Sequence, residues 1–129
     1  MAEKHADLIF QKYRIGESRI RLDVEAPRIE GKIEINVNKE TKQTDEDKYT
    51  IKLETYIINE SKTLEIEVTM YGYFEISPKV APEIRRSFVE LNAPTIMFPY
   101  IRAYISSLTG LSGLSPVIIP AVNFANPTN

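Results

Sequence analysis

Charge is laid out along this chain in a way that few folds accommodate: of 16 Lys/Arg and 18 Asp/Glu side chains, all but Arg102 lie in residues 1–92. At 129 residues the chain is one domain by size, so a charged half and an almost uncharged half must share one body. The uncharged part is not a solvated linker, because linkers are polar. Its apolar surface has to be covered, by the first half or by something outside the chain.

Residues 1–92 are built on alternation. Ile20, Leu22 and Val24 are separated by Arg21 and Asp23, and Ile33, Ile35 and Val37 by Glu34 and Asn36. Lys52 separates Ile51 from Leu53, while Glu65, Glu67 and Thr69 separate Leu64, Ile66, Val68 and Met70. A period of two puts the apolar side chains on one face, which predicts four strands with one wet face. The polar run Asn38 to Lys48 and the step Asn59 to Lys62 read as turns, so the simplest topology is an antiparallel meander over residues 1–76. An Ala26-Pro27 break suits a longer connection after the first strand. A short helix is predicted within 77–92, with Ile84, Phe88 and Leu91 inward and Arg85, Arg86 and Glu90 outward.

The main helix is predicted over 93–110, with Pro94 in its first turn and Gly110 as its stop. Met97, Ile101, Tyr104 and Leu108 form one stripe, which Phe98, Ile105 and Tyr100 widen beyond what one sheet face covers. A helix apolar on both sides is normally buried on both. A second copy across a two-fold axis is the economical cover, which makes Met97, Ile101, Tyr104, Ile105 and Leu108 the expected oligomer contact. Pro99 removes a helical hydrogen bond at about 3 kcal/mol, so the helix either begins near Phe98 or bends there. Residues 111–129 have no period and several prolines, and are expected to form an apolar crossover and tail. Its Val117, Ile118, Ile119, Val122 and Phe124, with Phe74, suit a groove for extended apolar chain.

Little in the sequence carries reaction chemistry. With no cysteine there is no disulfide or thiolate site, the single histidine is His5 near the terminus, and no phosphate-binding glycine loop, zinc spacing or serine elbow occurs. Glu65 and Glu67 share a strand face with Thr69 and read as solvated surface; Asp45-Glu46-Asp47 reads as a hairpin loop. No enzyme, metal or cofactor is expected. A net charge of −2 gives no reason for nucleic acid or an anionic membrane as partner. Residues 103–122 are uncharged but too interrupted by Ser, Gly and Pro to span a membrane, and the N-terminus lacks an apolar signal core, so the cytoplasm is the expected compartment.

Ala93-Pro94-Thr95-Ile96-Met97-Phe98-Pro99-Tyr100-Ile101-Arg102, then Ile105-Ser106-Ser107, then Ile119-Pro120-Ala121-Val122-Asn123-Phe124 resemble the protein-export chaperone family SecB. Val24 to Pro27 and Gly72 to Ile76 fit the same pattern, so the likeness spans nearly the whole chain. The resemblance implies a single α+β domain, a four-stranded antiparallel sheet with helices on one side, assembling into dimers and then a homotetramer. It also implies an ATP-independent holdase whose grooves take unfolded or precursor polypeptides, with Phe98 and Tyr100 bordering them, and an acidic outer face where Glu25 and Glu67 match positions used to meet the motor ATPase SecA. Arg21 departs from that acidic pattern, and Ile119-Pro120-Ala121 inverts the family's Ala-Pro order. The chain ends at Asn129, which implies a short form without the second long helix and zinc tail and makes SecA a doubtful partner. A chaperone dedicated to one client, such as a labile antitoxin, is the alternative, and a purely structural oligomerisation or adaptor module is the other.

Overall fold

The computed structural model describes residues 7–25 and 32–124; His5, the Ala26-Pro27 break and residues 125–129 of the expected tail lie outside them. Four strands, β1 (Leu8–Leu22), β2 (Ile33–Asp45), β3 (Lys48–Asn59) and β4 (Leu64–Ile76), form one antiparallel sheet, and helices lie on one side of it. The fold is α+β, as alternation followed by a helical stripe predicts.

The strand order is β1-β4-β3-β2, which corrects the simple meander. Strands β2, β3 and β4 follow one another, but β1 pairs with β4, from Leu8 opposite Ile76 to Leu22 opposite Leu64. Alternation fixes which face a residue takes, not which strand is its neighbour. β3 and β4 alternate buried and half-buried residues almost without a break, the mark of central strands. β2 is exposed at every residue beyond Val37, which suits an edge.

Two strands are longer than their apolar patterns. β1 begins at Leu8, and register shifts at Phe10/Lys12 and Ile15/Glu17 hide its period, because each bulge moves the next side chain to the other face. Residues 38–45, expected as a turn, continue β2; the turn is Glu46-Asp47, and Asp45 stands opposite Lys48. At the β3–β4 turn the buried Asn59 side chain accepts from the backbone N–H groups of Thr63 and Leu64 at 2.9 Å each, and Lys62 takes a positive φ of 57°.

Helix α1 (Pro82–Ser87) and helix α2 (Ala93–Leu111) are joined without a break by a π-helical turn, Phe88–Asn92. The expected boundary at Asn92 is therefore a change of winding. Pro94 has no N–H to give the Glu90 carbonyl, and the turn re-registers so that Ala93 N–H bonds Phe88 O. The released Glu90 carbonyl accepts from Lys39 Nζ of β2 at 2.8 Å. α2 runs through Pro99 from Ala93, so the late start is excluded. Pro99 and Thr95, whose carbonyl it leaves without a helical partner, are both on the exposed side, where the carbonyl is open to solvent. The stop comes after Gly110, at Gly113, whose φ of 90° is the left-handed conformation that ends helices. In α1, Ile84 is half exposed and Arg85 turns inward, its guanidinium 3.1 Å from both Asp47 Oδ1 and the Ser77 carbonyl.

Met97, Ile101 and Ile105 are fully buried against Ile51, Leu53, Ile66, Val68, Met70 and Phe74 of the sheet. Each such side chain contributes roughly 1.5–3 kcal/mol on leaving water. Gly72 admits the helix: a Cβ there would lie 2.6 Å from Met97 Sδ and 2.9 Å from Phe74 Cε2.

Candidate functional site

The irregular segment after α2 is fastened to the helix at two points. The buried Thr109 hydroxyl donates to the Ile105 carbonyl at 2.9 Å and accepts from Val117 N–H at 2.8 Å. Arg102, the one charge of the second half, donates Nε–H to the Ile119 carbonyl at 2.8 Å. These bonds satisfy backbone that has no sheet or helix partner of its own. They set Val117 and Ile119 into the core and leave Ile118 79% exposed between them.

Beyond Ile119 the segment lies beside the edge strand β2 without closing on it. A cavity of about 520 Å³ opens between Ile33, Ile35, Val37 and Lys39 on one side and Pro120 to Phe124 on the other. A second of similar size lies across the same segment, against Leu91, Asn92, Thr95 and Ile96 at the start of α2. Phe124 is placed by an edge-on contact with Phe98, ring centroids 5.8 Å apart. The two cavities share the Ala121 to Phe124 segment as a common wall; most of their lining is aliphatic or aromatic, and its polar members are Asn38, Lys39, Asn92, Thr95 and Asn123. Among the described residues no group of three or more His, Cys, Asp or Glu is placed to hold a metal ion, and no helix is long and apolar enough to cross a membrane.

The expected groove residues divide. Val122 and Phe124 line both cavities. Phe98, Val117 and Ile119 lie beneath as core. Phe74 and Tyr100 sit at the opposite edge, in an aromatic cluster with Phe10 and Tyr13: Phe10 stacks on Phe74 at 4.9 Å, and Tyr100 lies 5.5 Å from Phe10 and 5.0 Å from Tyr13. Tyr13 and Tyr100 are 43% and 45% exposed there. Ile33, Ile35 and Val37 were legible as a strand but not as cavity lining, because alternation does not say that a strand lies at an edge. Phe10 and Tyr13 were hidden by the bulges.

Of the expected oligomer contacts, Met97, Ile101 and Ile105 are occupied inside the chain, packed on the sheet. Tyr104 and Leu108 are half-buried flanks. The side of α2 left uncovered carries Ile96, Pro99, Tyr100, Ala103 and Leu111.

Glu67 lies on the outer face of the sheet and Glu25 is exposed just past β1. The outer face is of mixed charge. Arg19 stands 3.7 Å from Glu67 and 3.2 Å from Glu17, and Arg21 pairs with Glu65, which also accepts from Tyr56 Oη at 3.0 Å. The Arg21 and Tyr56 hydrogen bonds hold the Glu65 carboxyl below its ordinary value, while burial and then the bond to Glu65 push the Tyr56 phenol up. Lys12 lies 5.2 Å from the Tyr73 ring centre on the same face.

Residues 15–126 match the family described as preprotein translocase subunit SecB. The chain is 32% identical over 122 residues to an uncharacterised protein of Methanocaldococcus jannaschii, an alignment that covers 95% of this chain and 75% of that one. It is 31% identical over 104 residues to the protein-export protein SecB of Orientia tsutsugamushi strain Boryong, covering 78% of this chain and 62% of the relative, less than two thirds of its length. Its fold is similar to that of a SecB-like chaperone of Mycobacterium tuberculosis solved in complex with a peptide from an antitoxin, with a TM-score of 0.75 over 91% of each chain. At 13% identity that likeness is one of fold.

Proposed function

The chain belongs to the SecB family, and from that premise we propose that it is an ATP-independent holdase chaperone that keeps unfolded or precursor polypeptides from aggregating. The observation that carries this reading is the trough: two cavities of about 520 Å³ share the Ala121 to Phe124 wall and are lined mainly by apolar side chains on an edge strand and a helix. Such a surface recognises apolar chain chiefly by shape and burial. The cytoplasm goes with this reading, and the lack of cysteine fits a reducing compartment. Substoichiometric to equimolar protein should slow the light scattering of a chemically denatured substrate diluted into buffer without nucleotide. Unchanged aggregation at equimolar ratio would sink the proposal.

Dedication to one client is the second reading, and the antitoxin peptide bound by the fold relative favours it; co-purification from the native host would then yield one dominant protein. The reading includes self-association, through the uncovered side of α2 around Ile96 and Tyr100 with Tyr104 and Leu108 at its margin, as a dimer of dimers. A monomer mass in light scattering at micromolar concentration would refute it. Arg19 beside Glu67 and Arg21 beside Glu65 make the outer face less acidic than a SecA-linked use would favour, which supports the dedicated reading over export. A module that only assembles would leave no apolar surface for a fluorescent dye in the native state, whereas a holdase trough binds it.

A further inference from the structure

Lys39 brings a single charged side chain into the lining of the two cavities. It follows Ile33, Ile35 and Val37 at two-residue intervals on the same face of β2, all four lining the cavity opposite Pro120 to Phe124. The row from Ile33 to Lys39 spans about 20 Å of extended chain, so the ammonium stands at one end of an apolar run. It is also held in place there. Nζ donates to the Glu90 carbonyl at 2.8 Å, the acceptor that Pro94 leaves free in the π-helical turn. That uses one of the three donors of an ammonium. Among the described residues none of the ion pairs involves Lys39, so within them two donors of its ammonium are open to a ligand.

We propose that Lys39 selects what the trough takes: extended apolar segments of about six residues with an aspartate or glutamate at one end, in preference to the same segments ending in lysine or arginine. The inference rests on the holdase reading above. Its cause is charge complementarity at a fixed cation beside apolar walls, where an acidic end gains an ion pair and a basic end meets a like charge. A partly exposed pair of this kind contributes about two- to five-fold in affinity and weakens with salt.

Three labelled peptides sharing one alternating apolar core and ending in Glu, Gln or Lys test this by fluorescence anisotropy with the full chain at low and high salt. The unaltered protein should rank them Glu, Gln, Lys, with the spread narrowing as salt rises. Lys39→Arg should keep the order, Lys39→Met should level it, and Lys39→Glu should invert it. If Lys39 only clasped the helix turn, Lys39→Met would weaken all three peptides by one factor and leave their order, which would overturn the selection. Equal affinities in the unaltered protein would overturn it too while leaving the holdase reading standing. Failure of every peptide to bind would overturn both.

Discussion

Two threonines buried to the same degree should respond in opposite directions to one nearly isosteric change. Thr109 and Thr55 are 0% and 1% exposed. The Thr109 hydroxyl accepts the Val117 N–H at 2.8 Å, whereas Thr55 Oγ1 has no hydrogen-bond partner in its buried place on β3. Replacing Thr109 by Val keeps the volume but orphans a buried backbone donor, which costs about 1–3 kcal/mol. Replacing Thr55 by Val removes a hydroxyl that lost its water without compensation, and valine suits a strand, so about 1 kcal/mol is gained. Unfolding entropy near 2.1 cal/mol/K per residue over 129 residues makes 1 kcal/mol about 4 °C. Thr109→Val should therefore melt about 4–11 °C lower and Thr55→Val about 4 °C higher, compared at one protein concentration because association shifts apparent stability. Hydrogen exchange adds a local readout: Thr109→Val should speed exchange in residues 112–124, and Thr109→Ser, which retains the acceptor, should not. If both valine variants shift the melting temperature in the same direction, hydrogen bonding of these hydroxyls is not what distinguishes the sites.

Arg102→Met retains an apolar stem but frees the Ile119 carbonyl; we expect a fold intact by circular dichroism, with affinity for an unfolded client lowered several-fold. Gly72→Ala should cost about 1–3 kcal/mol through the approach to Met97 and Phe74, and a double-mutant cycle with Met97→Ala should show favourable coupling in urea titrations, since the shorter side chain vacates the clash. Glu65 has its pKa lowered from 4.5 by Arg21 and Tyr56, so its contribution is complete above that value and is lost as pH falls through the lowered folded value. Glu65→Gln should flatten the acid limb of the stability profile below about pH 4.5 and leave the neutral region with little pH dependence.

Legibility followed the reach of each signal. The alternation of Leu64 to Met70 and the stripe from Met97 to Leu108 reported faces correctly, because side-chain direction is a local property of strand and helix. The bulges in β1 and the polar outer half of β2 erased that signal, and Phe10, Tyr13 and the edge position of Ile33 to Val37 went with it. Around the cavities, the apolar run did not distinguish Val122 and Phe124, which line them, from the buried Val117 and Ile119 or the exposed Ile118. Val117, Ile118 and Ile119 look alike in sequence, and only the bonds from Thr109 and Arg102 decide which of them turn inward.

The sequence by itself determined that a charged sheet and an uncharged helical half share one body, that their apolar faces meet, and that the chain has the motif series of its family. It also determined that Pro94 and Pro99 have no N–H to donate, placing only the gap at Pro99 inside a helix. The tertiary structure decided where those defects go: one becomes a π-helical turn whose free carbonyl Lys39 takes up, the other faces water. It decided as well that β1 crosses to β4 and leaves β2 as an edge strand facing the segment from Pro120 to Phe124. Periodicity constrains each residue relative to its own element, whereas strand order, cavities and long-range hydrogen bonds depend on which elements meet. That choice is made by the whole chain at once, through burial summed over both halves.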